Sequence, residues 1–532
     1  MRIDDWFLAA EERDNRHSAI DRRHDGVPWT EGNLAEIFVD GNEYFTRLYS
    51  RLRATAPGDS IFLTGLEGDA DERLAGPGTE VAEVLGNLVQ NGVHVCGLVW
   101  RSHGAAYSEQ KNLMFSRAVN KAGGDVLLDN RIRRGGSHHQ KVVVIRHETQ
   151  PEDDVAFVGG MDLVHGRHDD HKHLGDPQTA DLDSDEYGEQ PGWHDVQVAL
   201  RGPAVDDVAF TFRERWEDPT PLDSRNPLRW VLHRLSRQPT ERAPLAAERV
   251  DPPRSGPHAV QVLRTYPARR KGGYPFAPRG ERSIARAYIK AFGRAHRLIY
   301  LEDQYLWSFH ATRVLCDALI REPELLVVIV IPRYPDPSGR IAGAASILGR
   351  EIVQDALYAA GGDRVAIYDL EREDGTAVYV HSKACIVDDI WVAVGSDNLN
   401  RRSWTHDSEI SCAILDETHD EREPVDPAGR GDRARKLARE TRLRLAHEHT
   451  GGATDLNELI DPQEWFDALQ QSAAALDAWH RDGERGRRPP GHLRAHTIER
   501  VNAAQRRLLR RVHAHVLDPD GRPSDLKRSD GF

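Results

Sequence analysis

Two stretches of this 532-residue chain, 135–163 and 379–403, are built to one pattern. A pattern met twice constrains the fold more than either copy alone. The first reads GGSHHQKVVVIRHETQPEDDVAFVGGMDL and the second YVHSKACIVDDIWVAVGSDNLNRRS. Each carries a histidine and a lysine one residue apart, His139 with Lys141 and His381 with Lys383, at the head of an apolar run. Side chains alternate along a strand, so the two polar groups of each copy point the same way. The runs 142–145 and 384–387 are continuously apolar, as strands covered on both faces are. Asp388-Asp389 is a turn signal before the run 390–394, and a longer polar turn precedes 155–158 in the first copy. Both hairpins end in small and polar residues, Gly159-Gly160-Met161-Asp162 and Gly395-Ser396-Asp397-Asn398. A histidine to attack or exchange protons, a lysine to neutralise charge and amide donors to orient oxygens together suit a phosphoryl group.

The flanks repeat as well. A strand-like 60–65, a helical pattern through Val81, Val84, Leu85 and Leu88, and an apolar run 93–100 match 298–306, a pattern through Val314, Leu315 and Leu319, and 325–331. Each half adds a short strand, 125–128 or 364–368, ahead of its hairpin. Alternating strands and helices predict an α/β fold, duplicated, with mixed, largely parallel sheets and both histidines in one cleft. The predicted organisation is a first half 1–237, a linker 238–280 rich in proline, arginine and glycine with one strand-like insert at 259–265, a second half 281–418, and a charged helical extension 419–532.

These motifs resemble those of the phospholipase D superfamily, defined by paired His-x-Lys-x4-Asp sequences. The second copy matches in full, while in the first Arg146 replaces the aspartate. SHHQK, GGMDLVHGRHD, WHDVQVALRGPAV, FRERW and LIYLEDQYLW resemble the eukaryotic-type branch, and the similarity runs over about residues 45–415. The resemblance implies a duplicated phospholipase D-type fold, no metal or other cofactor, His139 as nucleophile and His381 as general acid and base. It further implies that Lys141 and Lys383 hold phosphoryl oxygens, with Asn398, Ser396, Asp162 and Asp388 as substrate-binding groups. The motif aspartate is also structural in that family. Glu409, in HDSEI, takes the place of a carboxylate that orients a histidine, and Asp169, in GRHDD, is expected to do the same in the first half. The implied reaction is hydrolysis of a glycerophospholipid's phosphatidyl group, or its transfer to an alcohol, through a phosphohistidine. The alternative is a nuclease or another phosphodiesterase of the same superfamily.

Composition weighs between these substrates. A net charge of −14 opposes the basic footprint that nucleic-acid binding needs, so nucleic acid is the less favoured partner. His165, His168, His171 and His173 lie near Asp169, Asp170 and Asp176, but their spacing fits no closed zinc pattern, and the segment reads as a polar loop reaching Tyr187. Trp193 and His194 follow it and border the cleft or pack in the core. The four cysteines, Cys96, Cys316, Cys385 and Cys412, read as free core thiols. The N-terminus lacks a signal-peptide pattern, and the longest apolar run, 325–331, is far short of the roughly 18 residues of a span. The expected setting is cytoplasmic, with peripheral membrane contact open to it. Near the C-terminus Arg506, Arg507, Arg510 and Arg511 surround Leu508, Leu509 and Val512, which predicts a helix packing its apolar side on the body.

Overall fold

The computed structural model describes residues 2–20, 23–102, 109–178, 185–222, 241–269, 273–335, 340–497, 499–529 and 531–532. Part of the polar loop expected to reach Tyr187, residues 179–184, lies outside the described residues. The duplication is visible in the sheets. In the first half, β1 (Thr30–Val39), β2 (Ser60–Gly65), β3 (His94–Trp100), β4 (Asp125–Asp129), β5 (Val142–Arg146), β6 (Val155–Gly159) and, after the short β7 (Gly192–His194), β8 (Val196–Arg201) pair in the order β4-β3-β2-β5-β6-β8-β1. In the second half, β9 (His258–Tyr266), the two-residue β10 (Glu281–Arg282), β11 (Leu298–Glu302), β12 (Leu326–Val330), β13 (Val365–Glu371), β14 (Ala377–Val380), β15 (Ala384–Val387), β16 (Trp391–Gly395) and β17 (Glu409–Asp416) build the same order, β13-β12-β11-β15-β16-β17-β9.

The sheets are mixed, but antiparallel pairing predominates, contrary to the largely parallel expectation. Within each half, among the described residues, β2–β3, β3–β4 and their counterparts β11–β12, β12–β13 run parallel, and between the halves so does the short pair β7–β14. The parallel strands within each half are those joined through helices, Val81–Gln90 and Glu109–Lys121 in one half, Phe309–Arg321 and Arg340–Gly361 in the other. Strands joined by tight turns can pair only antiparallel. The hairpin β15–β16 turns on Asp388 and Asp389, both left-handed at φ 53° and 55°, closed by Ile390 N–H donating to Val387 O at 2.9 Å.

Alternation along the strands separates two interiors. Val142, Val144, Ala384 and Ile386 face a core shared between the two sheets. Val143 and Ile145 turn to the helices of the first half, Cys385 and Val387 to those of the second. The result is helices, sheet, sheet and helices in layers, which is why these strands read as unbroken apolar runs.

Three boundaries differ from the sequence reading. The strand inside the expected linker, β9, is a full member of the second sheet, pairing with β17 along its length. The N-terminal segment, expected with the first half, packs Trp6, Phe7 and Leu8 on the second half's outer core, with Leu8 N–H donating to Gln261 at 2.9 Å. The C-terminal extension also joins the body. Its strand β18 (Leu493–Ala495) extends the second sheet on β13, and Trp465 of the helix Pro462–Arg481 enters the shared core. Near the end of the chain Leu509 is buried and Leu508 exposed, so that helix, Arg506–Val512, does pack one apolar side. All four cysteines are free and buried. Among the described residues no helix is long and apolar enough to cross a membrane.

The extension is anchored to the second hairpin by charge. Asp389 accepts from Arg442 Nε at 2.6 Å and Nη2 at 2.7 Å and from Arg439 Nε at 3.0 Å, with all three side chains fully buried. Removing one partner of such a group strands the other charges without solvent. Asp389→Ala is expected to cost about 3–5 kcal/mol in urea unfolding. Asp374→Ala, which breaks a half-exposed pair with Arg372, should cost no more than about 1 kcal/mol. Equal costs would show that Asp389 is not the anchor.

Candidate active site

Each His-x-Lys segment is pinned to the opposite half. His138 bridges Ser408 in parallel, His139 N–H donates to Ser408 O at 2.9 Å, and Ser408 N–H donates to Ser137 O at 3.0 Å. In the equivalent place β14 pairs with β7, Val380 opposite His194, and His381 N–H donates to His194 O at 2.8 Å. The segment before each motif thus lies beside the residue that precedes a carboxylate of the other half.

Those carboxylates are exchanged. His139 Nδ1 meets Glu409 Oε2 at 2.8 Å, and His381 Nδ1 meets Asp195 Oδ2 at 2.7 Å. Glu409 opens β17 and Asp195 stands just before β8, its repeat equivalent. With Nδ1 held, Nε2 is the nitrogen of each ring left to react. Glu409 therefore sits where the resemblance put it. Asp169 does not: its carboxylate accepts from the backbone N–H groups of Trp193 (2.8 Å), Asp170 (2.9 Å) and Gly175 (3.2 Å), which occupies it in shaping the loop. Asp195 holds the position instead. The repeat would have identified it, since WHDVQVAL aligns with HDSEISCAI once Asp195 is set against Glu409.

Supporting contacts differ between halves. Ser396 Oγ donates to Glu409 Oε2 at 2.6 Å and accepts Ile410 N–H at 3.0 Å. It braces the carboxylate rather than lining the cleft, a correction to its expected substrate contact. The equivalent Gly160 has no side chain because Asp195 fills the space. A Cβ there would lie 2.1 Å from Asp195 Oδ1. Asp388 is also corrected. It stands five residues beyond Lys383, roughly 16 Å along an extended strand, and accepts the N–H groups of His296, Arg297 and Leu298, each at 2.8 Å. Arg146, at that place in the first motif, is buried between Asp154 (2.7 Å) and Asp206 (2.6 Å).

Lys141 Nζ lies 3.0 Å from Asp162 Oδ2, while Asp162 Oδ1 accepts Leu66 N–H at 2.9 Å. Lys383 Nζ donates to Gln304 Oε1 at 3.2 Å and to its neighbour's carbonyl, His381 O. Gln304, in turn, donates to Tyr379 OH at 2.8 Å. Asn398, the repeat equivalent of Asp162, is buried, and its Oδ1 has no hydrogen-bond partner. Trp193 is stacked on Tyr379 at 4.7 Å and lies 5.0 Å from the His381 ring, with the Arg167 guanidinium over the indole, 3.6 Å from its centroid. It is thus both buried and beside His381. Neither Gln304 nor Arg167 was singled out in the sequence, although LEDQYLW and HGRHD contain them.

The charges act on one another. Burial pushes His139 well below the ordinary imidazole range, and Lys141 and Lys383 push it further. Burial does the same to His381, helped by Lys383 and Arg167. Burial raises Glu409 well above the usual carboxylate range, and raises Asp195. Burial thus acts against the charged form of both members of each pair. Burial also brings Lys383 down to about 8. An anion entering between two lysines and two such pairs would favour protonation of an imidazole.

Of the histidine-rich segment, His165 and His168 stay near the surface, contacting Asp71 and Asn42, while His173 is fully buried behind the site. His194 is buried too, its Nδ1 on Asp40 and its Nε2 on Glu302, both at 3.0 Å. It backs the site instead of bordering the cleft.

Comparison with known proteins agrees with this arrangement. A family model described as "Phospholipase D" matches residues 108–317, and one described as "Cardiolipin synthase, PLD-like domain" matches 343–422. Phospholipase D alpha 1 of Cynara cardunculus is 26% identical over 468 residues, 70% of this chain and 56% of its own length. Phospholipase D alpha 1 of Oryza sativa subsp. japonica is 25% identical over 563 residues, 82% of this chain and 67% of its own. The chain spans between half and about two thirds of the length of these curated relatives. Among solved structures, phosphatidylserine synthase of Haemophilus influenzae Rd KW20 superposes with a TM-score of 0.49 at 14% identity, over 76% of this chain and 87% of that one. With both motifs matched and the paired histidines in place, the chain belongs to the phospholipase D superfamily.

Proposed function

We propose that the chain is a phosphodiesterase of phospholipase D type, which hydrolyses the phosphatidyl group of a glycerophospholipid or passes it to an alcohol. The observation that carries this reading is the exchange of carboxylates between halves, which leaves Nε2 of both histidines available beside two lysines. His139 Nε2 attacks phosphorus, the bond to the leaving alcohol oxygen breaks, and that oxygen takes the proton of His381. A phosphohistidine remains. His381, now neutral, takes a proton from water or an acceptor alcohol, whose oxygen attacks phosphorus and expels His139. Lys141, Lys383 and Asn398 steady the phosphoryl oxygens. Glu409 and Asp195 hold the rings and offset the imidazolium charge as it forms. A glycerophospholipid is favoured by the net charge of −14, which disfavours nucleic acid beyond the cleft. Peripheral lipid contact is supported by exposed Leu508 and Val516 beside Arg507 and Arg511. A cytoplasmic setting accords with four free buried thiols.

Phosphatidylcholine vesicles supplied with ethanol are expected to yield phosphatidic acid and phosphatidylethanol, because water and alcohol compete for one phosphoenzyme. Cleavage of single-stranded DNA with no lipid product would transfer the assignment to a nuclease. The roles of the histidines separate with an aryl phosphodiester, whose leaving group departs without a proton. His381→Asn should then accumulate an acid-labile adduct on His139 in mass spectra, while His139→Asn forms none. An adduct on His381 instead would invert the roles, and no adduct in either inactive variant would remove the covalent step.

Lys383 sets a pH limit. It is charged below about 8 and neutral above, so the charge available to a phosphodiester is lost as pH rises through that value. On a soluble aryl diester, kcat/KM, which reports the free enzyme, is expected to fall above about pH 8. Lys383→Arg, if active, should flatten that limb because guanidinium does not titrate there. A level wild-type profile from neutral pH to well above the Lys383 value would exclude Lys383 as the controlling charge.

A further inference from the structure

Behind Asp195 lies a second cluster that the proposed chemistry does not use. Four segments meet there: Asp40 follows β1, His173 comes from the histidine-rich loop, His194 ends β7, and Glu448 lies in the helix Lys436–His449 of the C-terminal extension. One donor atom from each falls within 4.8 Å of the others. His194 Nδ1 is 3.0 Å from Asp40 Oδ1 and 3.3 Å from Glu448 Oε1, while His173 Nδ1 lies 4.0 Å from Asp40 Oδ2 and His173 Nε2 lies 3.7 Å from Glu448 Oε1. Asp40 is 2% exposed and both histidines 0%.

The cluster leaves polar atoms unsatisfied at a depth where that is costly. Among the described residues, both ring nitrogens of His173, Asp40 Oδ2 and Glu448 Oε1 have no hydrogen-bond partner. Buried polar groups are almost always paired, and a set of orphaned donor atoms converging on one point asks for a shared partner. We propose that Asp40, His173, His194 and Glu448 bind one divalent transition-metal ion, with zinc the expected occupant.

Two imidazoles and two carboxylates disfavour calcium and magnesium, which take oxygen ligands, and suit zinc. Ligands about 2.0–2.2 Å from a tetrahedral ion lie roughly 3.4 Å from one another, close to the separations found here. The surroundings fit as well. A metal-bound histidine commonly donates its other ring N–H to a carboxylate, and His194 Nε2 meets Glu302 Oε2 at 3.0 Å. Glu302 is itself held by Tyr300 OH at 2.5 Å and His449 Nε2 at 3.0 Å. Glu448, with His492, lines an open groove at the surface, so one member of the cluster borders solvent-accessible space.

The ion would be structural. It would tie the C-terminal helix and the loop to the strand that delivers Asp195, one residue after His194, and so steady the carboxylate on His381.

The tag-free full chain, expressed with zinc available and passed over a desalting column, is expected to carry one zinc per chain by elemental mass spectrometry. Stripping with a strong chelator should lower the unfolding temperature, and zinc should restore it while calcium and magnesium do not. Glu448→Gln and His173→Gln should each weaken zinc binding by more than about a hundredfold, beyond the 10–100-fold typical of losing a supporting contact. His492→Gln, beside the cluster but not a donor, should keep full stoichiometry. Should the variants fail to fold, cobalt added to the stripped wild type decides the matter through the intense visible bands of a tetrahedral site. A native chain with no bound metal and no thermal response to zinc, variants that retain the metal, or an octahedral cobalt spectrum would each overturn the proposal.

Discussion

The site depends on an exchange between two copies of one fold. Neither half carries a complete histidine–carboxylate pair: His139 meets Glu409, 270 residues away, and His381 meets Asp195, 186 residues away. The same backbone bridges that bring each motif against the other half set the distance between ring and carboxylate. Docking and orientation are therefore one event. A half folded alone would bury a histidine without its counter-group, or expose it, and neither state has the electrostatics of the paired one. The shared core of alternate valines and isoleucines from both sheets supplies the driving force for that docking.

The two copies have kept their geometry while exchanging chemical detail. Ser396 braces Glu409, whereas Gly160 makes room for Asp195, so the longer carboxylate is supported by a hydroxyl and the shorter one by close approach. Asp162 partners Lys141 with a full charge, while its equivalent Asn398 offers Lys383 none. Lys383 is left to a neutral Gln304 and a carbonyl, and burial can draw its proton affinity down. The asymmetry leaves Lys383 without a carboxylate in direct contact, so its charge is the one that burial weakens.

The order of elements, the hairpins and the four central residues were legible because strands covered on both faces write continuous apolar runs, and the motifs stand at their heads. Strand direction is not written in the side-chain pattern of a strand but in its connections, and among the described residues the antiparallel pairs outnumber the parallel ones made by helix crossovers. β9 was read as an insert in a linker because its flanks are rich in proline and arginine, although its own residues are those of a central strand. Asp169, expected from the resemblance to orient a histidine, stands in a run of acids and histidines, but a carboxylate filled by backbone N–H groups has no capacity left for a ring. The repeat was the better guide than local composition, and it pointed to Asp195.

The same reasoning explains why the first motif tolerates Arg146. In the second motif Asp388 ties the hairpin turn to the start of β11 by accepting three N–H groups. In the first, Asp59, which precedes β2, accepts from Glu148 N–H at 2.8 Å and bonds His147 Nδ1 at 2.7 Å. The carboxylate has moved to the other side of the joint, from the hairpin to the strand beside it. Arg146 is then free to turn to Asp154 and Asp206. What the fold requires at that end of the strand is a buried carboxylate bridging hairpin and sheet, and either partner can supply it.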